Sequence, residues 1–268
     1  MSRIIDCHCH IYPDAIAERA VAGIGGFYDL PLVYNGKISH LRELGSSLGI
    51  DHYVVFSVAT TPHQTQSINE FIAEAVAESH GCMTGLGTVH PDSQTMEADI
   101  QHLVELGLRG VKLHADIQAV AVDDPRCMKI YALCQEGGLP VLMHTGDHRF
   151  NYSNPKRVAN VLKSFPKLTV VGAHLGGWSV WEEAEHTLPQ YPNFFVDCSS
   201  SMYALSAEKA LEIIRAYGAD RVLFGTDYPM WPIDKELERF EALALTDEER
   251  ELILHQNAER IFGITPKE

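Results

Sequence analysis

The chain has 268 residues, 46% apolar and 21% charged, an ordinary balance for a globular protein and one without the roughly 18 uninterrupted apolar residues of a membrane span. Its 36 acidic against 21 basic side chains give a formal charge of −15, which makes the phosphate backbone of nucleic acid an unfavourable partner. Six cysteines without CxxC spacing fit reduced thiols better than a disulfide frame, and MSRIIDCHCH lacks the pattern of a secretory signal, so a cytoplasmic protein with neither membrane nor nucleic-acid partner is expected.

A first strand is predicted at RIIDCH, residues 3–8, followed by a stretch from Ile11 to Lys37 that is long for a strand-to-helix loop. That stretch holds GIGGFYDLP, a glycine-hinged apolar segment suited to covering a pocket, and is read as a lid. YVVFSV (53–58) is the second strand and SINEFIAEAVAESH (67–80) the helix after it. MTGLGTV (83–89) leads into the helical MEADIQHLVELG (96–107), and GVKLH (110–114) into CMKIYALCQEGG (127–138). PVLMH (140–144), LTVVGAH (168–174) and FFVDCS (194–199) supply further strands, and AEKALEIIRAYG (207–218) precedes the eighth apolar run, RVLFGTD (221–227). DEERELILHQNAERIFGI reads as a terminal helix packed on the outside, and no repeat or linker divides the chain.

Strands apolar on both faces and separated by single helices imply parallel pairing. Eight such units close most simply into a (β/α)8 TIM barrel, one α/β domain over residues 1–268, with an open doubly wound sheet as the alternative.

The end of the first strand, DCHCH at 6–10, offers five residues able to bind a metal. Strand alternation places Asp6, His8 and His10 on one side and Cys7 and Cys9 on the other. In a barrel the inner face at the C-terminal ends of the strands carries the chemistry, so His8 and His10 are read as ligands and the cysteines as packing. His114, His144, His174 and Asp227 each close an apolar run in the same way and converge on the same mouth, where imidazole and carboxylate suit Zn²⁺. A single buried histidine is more often a satisfied core residue; six strand-end residues together are not.

These residues and their surroundings, DCHCH (6–10), GVKLHAD (110–116), GLPVLMHTG (138–146), VVGAHLGG (170–177), FGTDYP (224–229) and NAERIFGI (257–264), resemble the amidohydrolase superfamily over nearly the whole chain. Within it they resemble the amidohydrolase-related group that includes aminocarboxymuconate-semialdehyde decarboxylase. The resemblance implies a mononuclear site in which His8, His10, His144 and Asp227 hold a divalent metal, Zn²⁺ or another such as Mn²⁺, with His174 beside the bound water as acid/base or electrostatic partner. Homodimers are common in that group, although no interface signal is readable in this sequence.

Other residues carry two readings each. Asp6 either orients a ligand from behind or has a buried structural role. Lys112 shares the parity of His114; carboxylated lysines occur on the fourth strand of binuclear relatives, but one metal is favoured here, with Lys112 binding an anionic substrate group or pairing with a buried acid. His114 lines the same mouth. His148 and Arg149 are either a grip for a substrate carboxylate or solvated loop residues. Trp178, Tyr228 and Trp231 either wall the pocket or pack the core. Gly176 and Gly177 offer amides for an oxyanion or form a tight turn, the turn being favoured.

The leading expectation is a hydrolase that uses a metal-activated water on an ester, lactone or amide bond of a small organic acid, with Asp227 and His174 handling protons. The alternative is a non-oxidative decarboxylase of an unsaturated carboxylic acid, which the same residues serve. A barrel that binds without catalysis is the third reading.

Overall fold

Eight parallel strands line up in chain order among residues 3–265, which the computed structural model describes. They are β1 (Ile5–His10), β2 (His52–Phe56), β3 (Met83–Gly85, resuming at Gly87–Thr88), β4 (Val111–Leu113), β5 (Val141–Met143), β6 (Val170–Gly172), β7 (Phe194–Asp197) and β8 (Val222–Leu223). Each pairs with the next in parallel. The break in β3 falls at Leu86, whose amide still bonds Val55 O at 3.0 Å. The sheet closes where Cys7 N donates to Phe224 O (2.9 Å) and His10 N to Tyr228 O (2.8 Å). This is the expected TIM barrel; the open-sheet alternative is excluded by that closure.

Burial follows the period-two alternation of the strands. One set of side chains, among them Ile5, Val54, Phe56, Leu86, Leu142, Val171 and Leu223, forms a cluster inside the barrel. The alternate set, including Tyr53, Val55, Val111, Val141, Val170 and Val222, packs with Ile72, Leu103, Ile130 and Ile213 of the surrounding helices. The C-terminal helix Asn257–Phe262, expected on the outside, instead sends Ala258 and Phe262 into the inner cluster. Arg3, just before β1, bonds its Glu259, so it covers the end of the barrel where the strands begin.

The strict alternation expected for DCHCH fails at one point. Asp6 pairs with Tyr53 but Cys9 with Val55, so β1 spends three residues where β2 spends two. This bulge puts Asp6 and Cys9 on the outer side and turns Cys7 inward, into the inner cluster, while His8 and His10 still reach the mouth. Asp6 fastens the bulge. Its Oδ1 accepts from His8 N (3.1 Å) and Thr226 N (3.0 Å), and Oδ2 from the Thr226 hydroxyl (2.5 Å), stitching β1 to the segment after β8.

The stretch after β1 is a helix, α1 (Ala17–Tyr28), followed by α2 (Ile38–Ser47). After β2 the chain enters α3 (Thr65–Glu78) through a turn in which the side chains of Thr61 and Gln64 cap each other's backbone amides. Both α1 and α3 flank the mouth of the barrel.

Candidate metal centre

His8 and His10 end β1, His114 and His144 directly follow β4 and β5, His174 lies two residues beyond β6, and Asp227 four beyond β8. With Lys112 from within β4, all seven line one small cavity at the C-terminal mouth. Gly225 makes room for this convergence, since a Cβ there would stand 3.0 Å from His8 Cβ.

Asp227 Oδ1 lies 3.3 Å from His8 Nε2 and 3.6 Å from His10 Nε2. These three ligand atoms fall within 4.8 Å of one another, the spacing of groups around one small cation. The donor set, two imidazole nitrogens and a carboxylate oxygen, fits a divalent first-row metal. The other carboxylate oxygen of Asp227 accepts from the Ser200 hydroxyl, which in turn accepts from Trp231 Nε1 at 2.6 Å.

His174 stands beside the trio, its ring stacked on His8 at 5.1 Å between centroids. Its Nε2 shares a hydrogen bond with His144 Nδ1 (3.0 Å), and its Nδ1 meets Ser199 Oγ (3.0 Å). His144 Nε2 bonds the Gly146 carbonyl at 2.9 Å. His144 therefore lines the cavity while both its nitrogens are engaged by protein groups, and it is not among the three atoms that converge.

Burial sets the charge states. The rings of His8, His10, His114 and His144 are held well below their ordinary pKa, first by desolvation and then by Lys112 or neighbouring histidines, and His174 is pushed down to about 3 by the same leading cause. They are neutral at physiological pH, as ligands must be. Burial also raises the Asp227 carboxyl to about 8 and lowers Lys112 to about 8. Lys112 Nζ rests 3.1 Å from His8 Nε2 and 4.5 Å above the Phe56 ring. It lies inside the cavity, and the nearby Asp197 and Asp227 carboxyls oppose the lowering of its pKa, so a buried acid is a partner for it beside an anion from solution.

Of the remaining expected residues, His114 stacks on His144 (4.1 Å, 6° between planes) and, with its Nδ1 accepting from Ile117 N, donates its Nε2 proton to the Tyr28 hydroxyl oxygen at 2.8 Å. Trp178 meets Tyr28 edge-on at 5.3 Å and lines a side of the same mouth with Trp231. Tyr228 instead packs on Tyr34 beneath α2. Arg149 is occupied: Nε and Nη2 grip Asp147 at 3.0 and 2.7 Å, and Nη1 donates to Phe27 O of α1 at 2.7 Å. His148 bonds Ser179 at the surface. The amides of Gly176 and Gly177 are spent within the turn, on Ala173 O and His174 O, which is the tight-turn reading.

Sequence reasoning passed over Asp197, Ser199, Ser200 and Tyr28. Asp197 closes β7 after FFV, the same signal that singled out the histidines, and its Oδ2 meets His8 Nδ1 at 2.9 Å.

A family model described as amidohydrolase matches residues 5–264. The curated 2-amino-3-carboxymuconate-6-semialdehyde decarboxylase of Dictyostelium discoideum is 26% identical over 340 residues, 98% of this chain and 92% of that protein. Among solved structures, an uncharacterized TIM-barrel protein of Bordetella bronchiseptica superposes with a TM-score of 0.82 at 26% identity, covering 97% of this chain and 98% of that one. A dihydroxybenzoic acid decarboxylase of Polaromonas sp., solved with manganese and 2-nitroresorcinol, gives 0.75 at 17% identity over 100% and 98% of the two chains. A Pseudomonas putida protein described provisionally as a 2-pyrone-4,6-dicarboxylic acid hydrolase gives 0.69 at 20% identity over the whole of both. At these last two identities the likeness bears on the fold alone.

Proposed function

The chain belongs to the amidohydrolase family, a family of metal-dependent enzymes with a divalent cation as cofactor, and from that premise we propose that it decarboxylates a small unsaturated or aromatic carboxylic acid without net oxidation. The observation that carries this reading is Lys112, an ammonium buried among neutral imidazoles at the metal-ligand cluster. A cation so placed favours an anionic substrate, and the relative matched along nearly its full length is a decarboxylase.

In this reading His8, His10 and Asp227 hold the metal, with His144 as the fourth ligand once it gives up its bond to His174. The ion, when bound, supplies Lewis-acid polarisation of a substrate oxygen. Lys112 pairs with the departing carboxylate and keeps it against the reacting centre. A proton is delivered to the carbon that bears the carboxylate, the bond to that carboxylate breaks, and its electron pair stays with the carbon. One proton is consumed and one CO₂ leaves. His174 faces the cavity and relays that proton in from water, while Asp227, whose own proton the ion displaces, steadies the transferring group; Ser199 and Asp197, bonded to one another behind His174, orient its ring. The aromatic walls, Tyr28 and Trp178, keep water from the reacting carbon.

Hydrolysis of an ester or lactone uses the same groups and is the competing outcome. The test is to load metal-free protein with Mn²⁺ or Zn²⁺, incubate it with a panel of aromatic and unsaturated acids and of lactones and esters, and follow CO₂ and newly released acid separately. Metal-dependent CO₂ release is expected, reduced about 10²- to 10⁴-fold by His174→Ala. Turnover of lactones or esters with no CO₂ from any acid would replace decarboxylation by hydrolysis.

A further inference from the structure

The cavity at the metal-ligand cluster has room for about 30 Å³, one or two water molecules and less than any organic acid occupies. Beside it lies a second cavity of about 550 Å³, the size of a small-molecule site, between α1 and the first turns of α3. His10, Ile24, His114 and Ile117 line both, so the larger is the continuation of the smaller.

Its chemistry differs from that of the cluster. The walls are apolar: Ile16, Phe27, Val58, Ile68 and Phe71 face the space. Of the polar side chains that line it, Tyr12, His10 and His114 stand at the inner end, toward Asp227 and the cluster, and the others are spent or lie at the rim. Ser57 donates to Ile11 O, and the Gln64 carbonyl caps Thr60 and Thr61. Arg19, Thr60 and Ser67 are exposed at the outer edge. A charged group placed in the interior would lose its water and find no partner, whereas an apolar group gains from leaving water.

We propose that this cavity is the subsite for an uncharged aryl or alkyl arm, so that the substrate is an amphipathic acid with its carboxylate at Lys112 and its apolar body between α1 and α3. The proposal rests on the cluster being the reaction centre, but not on which reaction occurs there. The ligand's length runs from His10 outward past Phe71 to the rim at Ile16.

The probes are benzoic acid and its 4-methyl, 4-ethyl, 4-propyl and 4-butyl derivatives, titrated calorimetrically into the Mn²⁺-loaded protein. Affinity should rise with each methylene, up to about fourfold per group when burial is complete. Ile68→Trp, which fills the cavity from α3, should flatten the series. Ile16→Trp, at the exposed rim where the fold is least disturbed, should cut the gain for the longest members. Circular dichroism and Mn²⁺ uptake confirm that each variant is folded. Affinity independent of arm length, no binding by any member, or a steep series that survives both substitutions overturns the subsite. Because binding is read without turnover, a steep series together with no CO₂ from any acid of the wider panel leaves the subsite standing and removes only the decarboxylase reading.

Discussion

Asp197 shows how one buried carboxylate orders this site. Its Oδ2 accepts from His8 Nδ1, and its Oδ1 accepts from His174 N (3.2 Å), Ser199 N (3.1 Å) and the Ser199 hydroxyl. Because His8 is neutral, a proton fixed on Nδ1 leaves the Nε2 lone pair facing Asp227 and free for the proposed ion. Asp197→Asn keeps the shape but lets the amide donate where the carboxylate accepted, which favours the wrong tautomer. Metal affinity should fall about 10- to 100-fold, measured by competition with a chromophoric chelator; affinity within twofold of the wild type would remove Asp197 from this role. The residue was legible in the sequence, since it ends an apolar run as the histidines do. Asp6 was not. Its parity matched His8 only if β1 were regular, and the bulge depends on how β1 meets β2 and β8, which no local pattern records.

At the scale of elements the barrel strands were legible because their apolar runs are short, doubly buried and evenly spaced, and the helices at 67–80, 96–107, 127–138 and 207–218 recur within a few residues of their expected ends. The segment after β1 was legible as a wall of the mouth but not as a helix. Gly23, Gly25 and Gly26 each weaken a helix by roughly 1 kcal/mol, so the segment reads as a hinged loop, yet it is the helix α1. Tertiary contacts overrule propensity here: Tyr28 bonds His114, Phe27 stacks on Phe150 at 5.7 Å, and Arg149 holds the last turn by the Phe27 carbonyl. Arg149, expected either to grip a substrate carboxylate or to be a solvated loop residue, bonds Asp147 and the end of α1 in this structure, and we propose that it holds that helix. If so, Arg149→Met should speed hydrogen exchange of the amides in 20–28 by roughly tenfold, the worth of one such bond, and leave α3 unchanged. Unaltered exchange together with a raised KM would return Arg149 to the substrate.

For the whole molecule, two opposed sets of buried titrating groups fix how stability depends on pH. His8, His10, His114, His144 and His174 stay neutral in the fold because burial depresses their pKa, so below about 6.5 the unfolded chain binds protons that the native one does not, and stability rises with pH toward that value. Asp116 and Glu236, each raised to about 7, and Asp227, raised to about 8, behave in the reverse sense through burial. The native state keeps protons that the unfolded state has lost, and stability drains as pH climbs through those values, by about 1.4 kcal/mol per pH unit for each excess proton. From about pH 6.5 to 8 the carboxyls act alone; beyond that Lys112, lowered to about 8, begins to oppose them. Metal-free protein should thus melt highest near pH 6.5 and lower at pH 8. The ion competes with the proton on Asp227, so its affinity grows with pH, and so does the stabilisation it adds by binding the native state. Thermal melts with EDTA and with excess Mn²⁺ should separate further at pH 8 than at pH 6. A gap that narrows over that range would mean that the ion does not rest on Asp227.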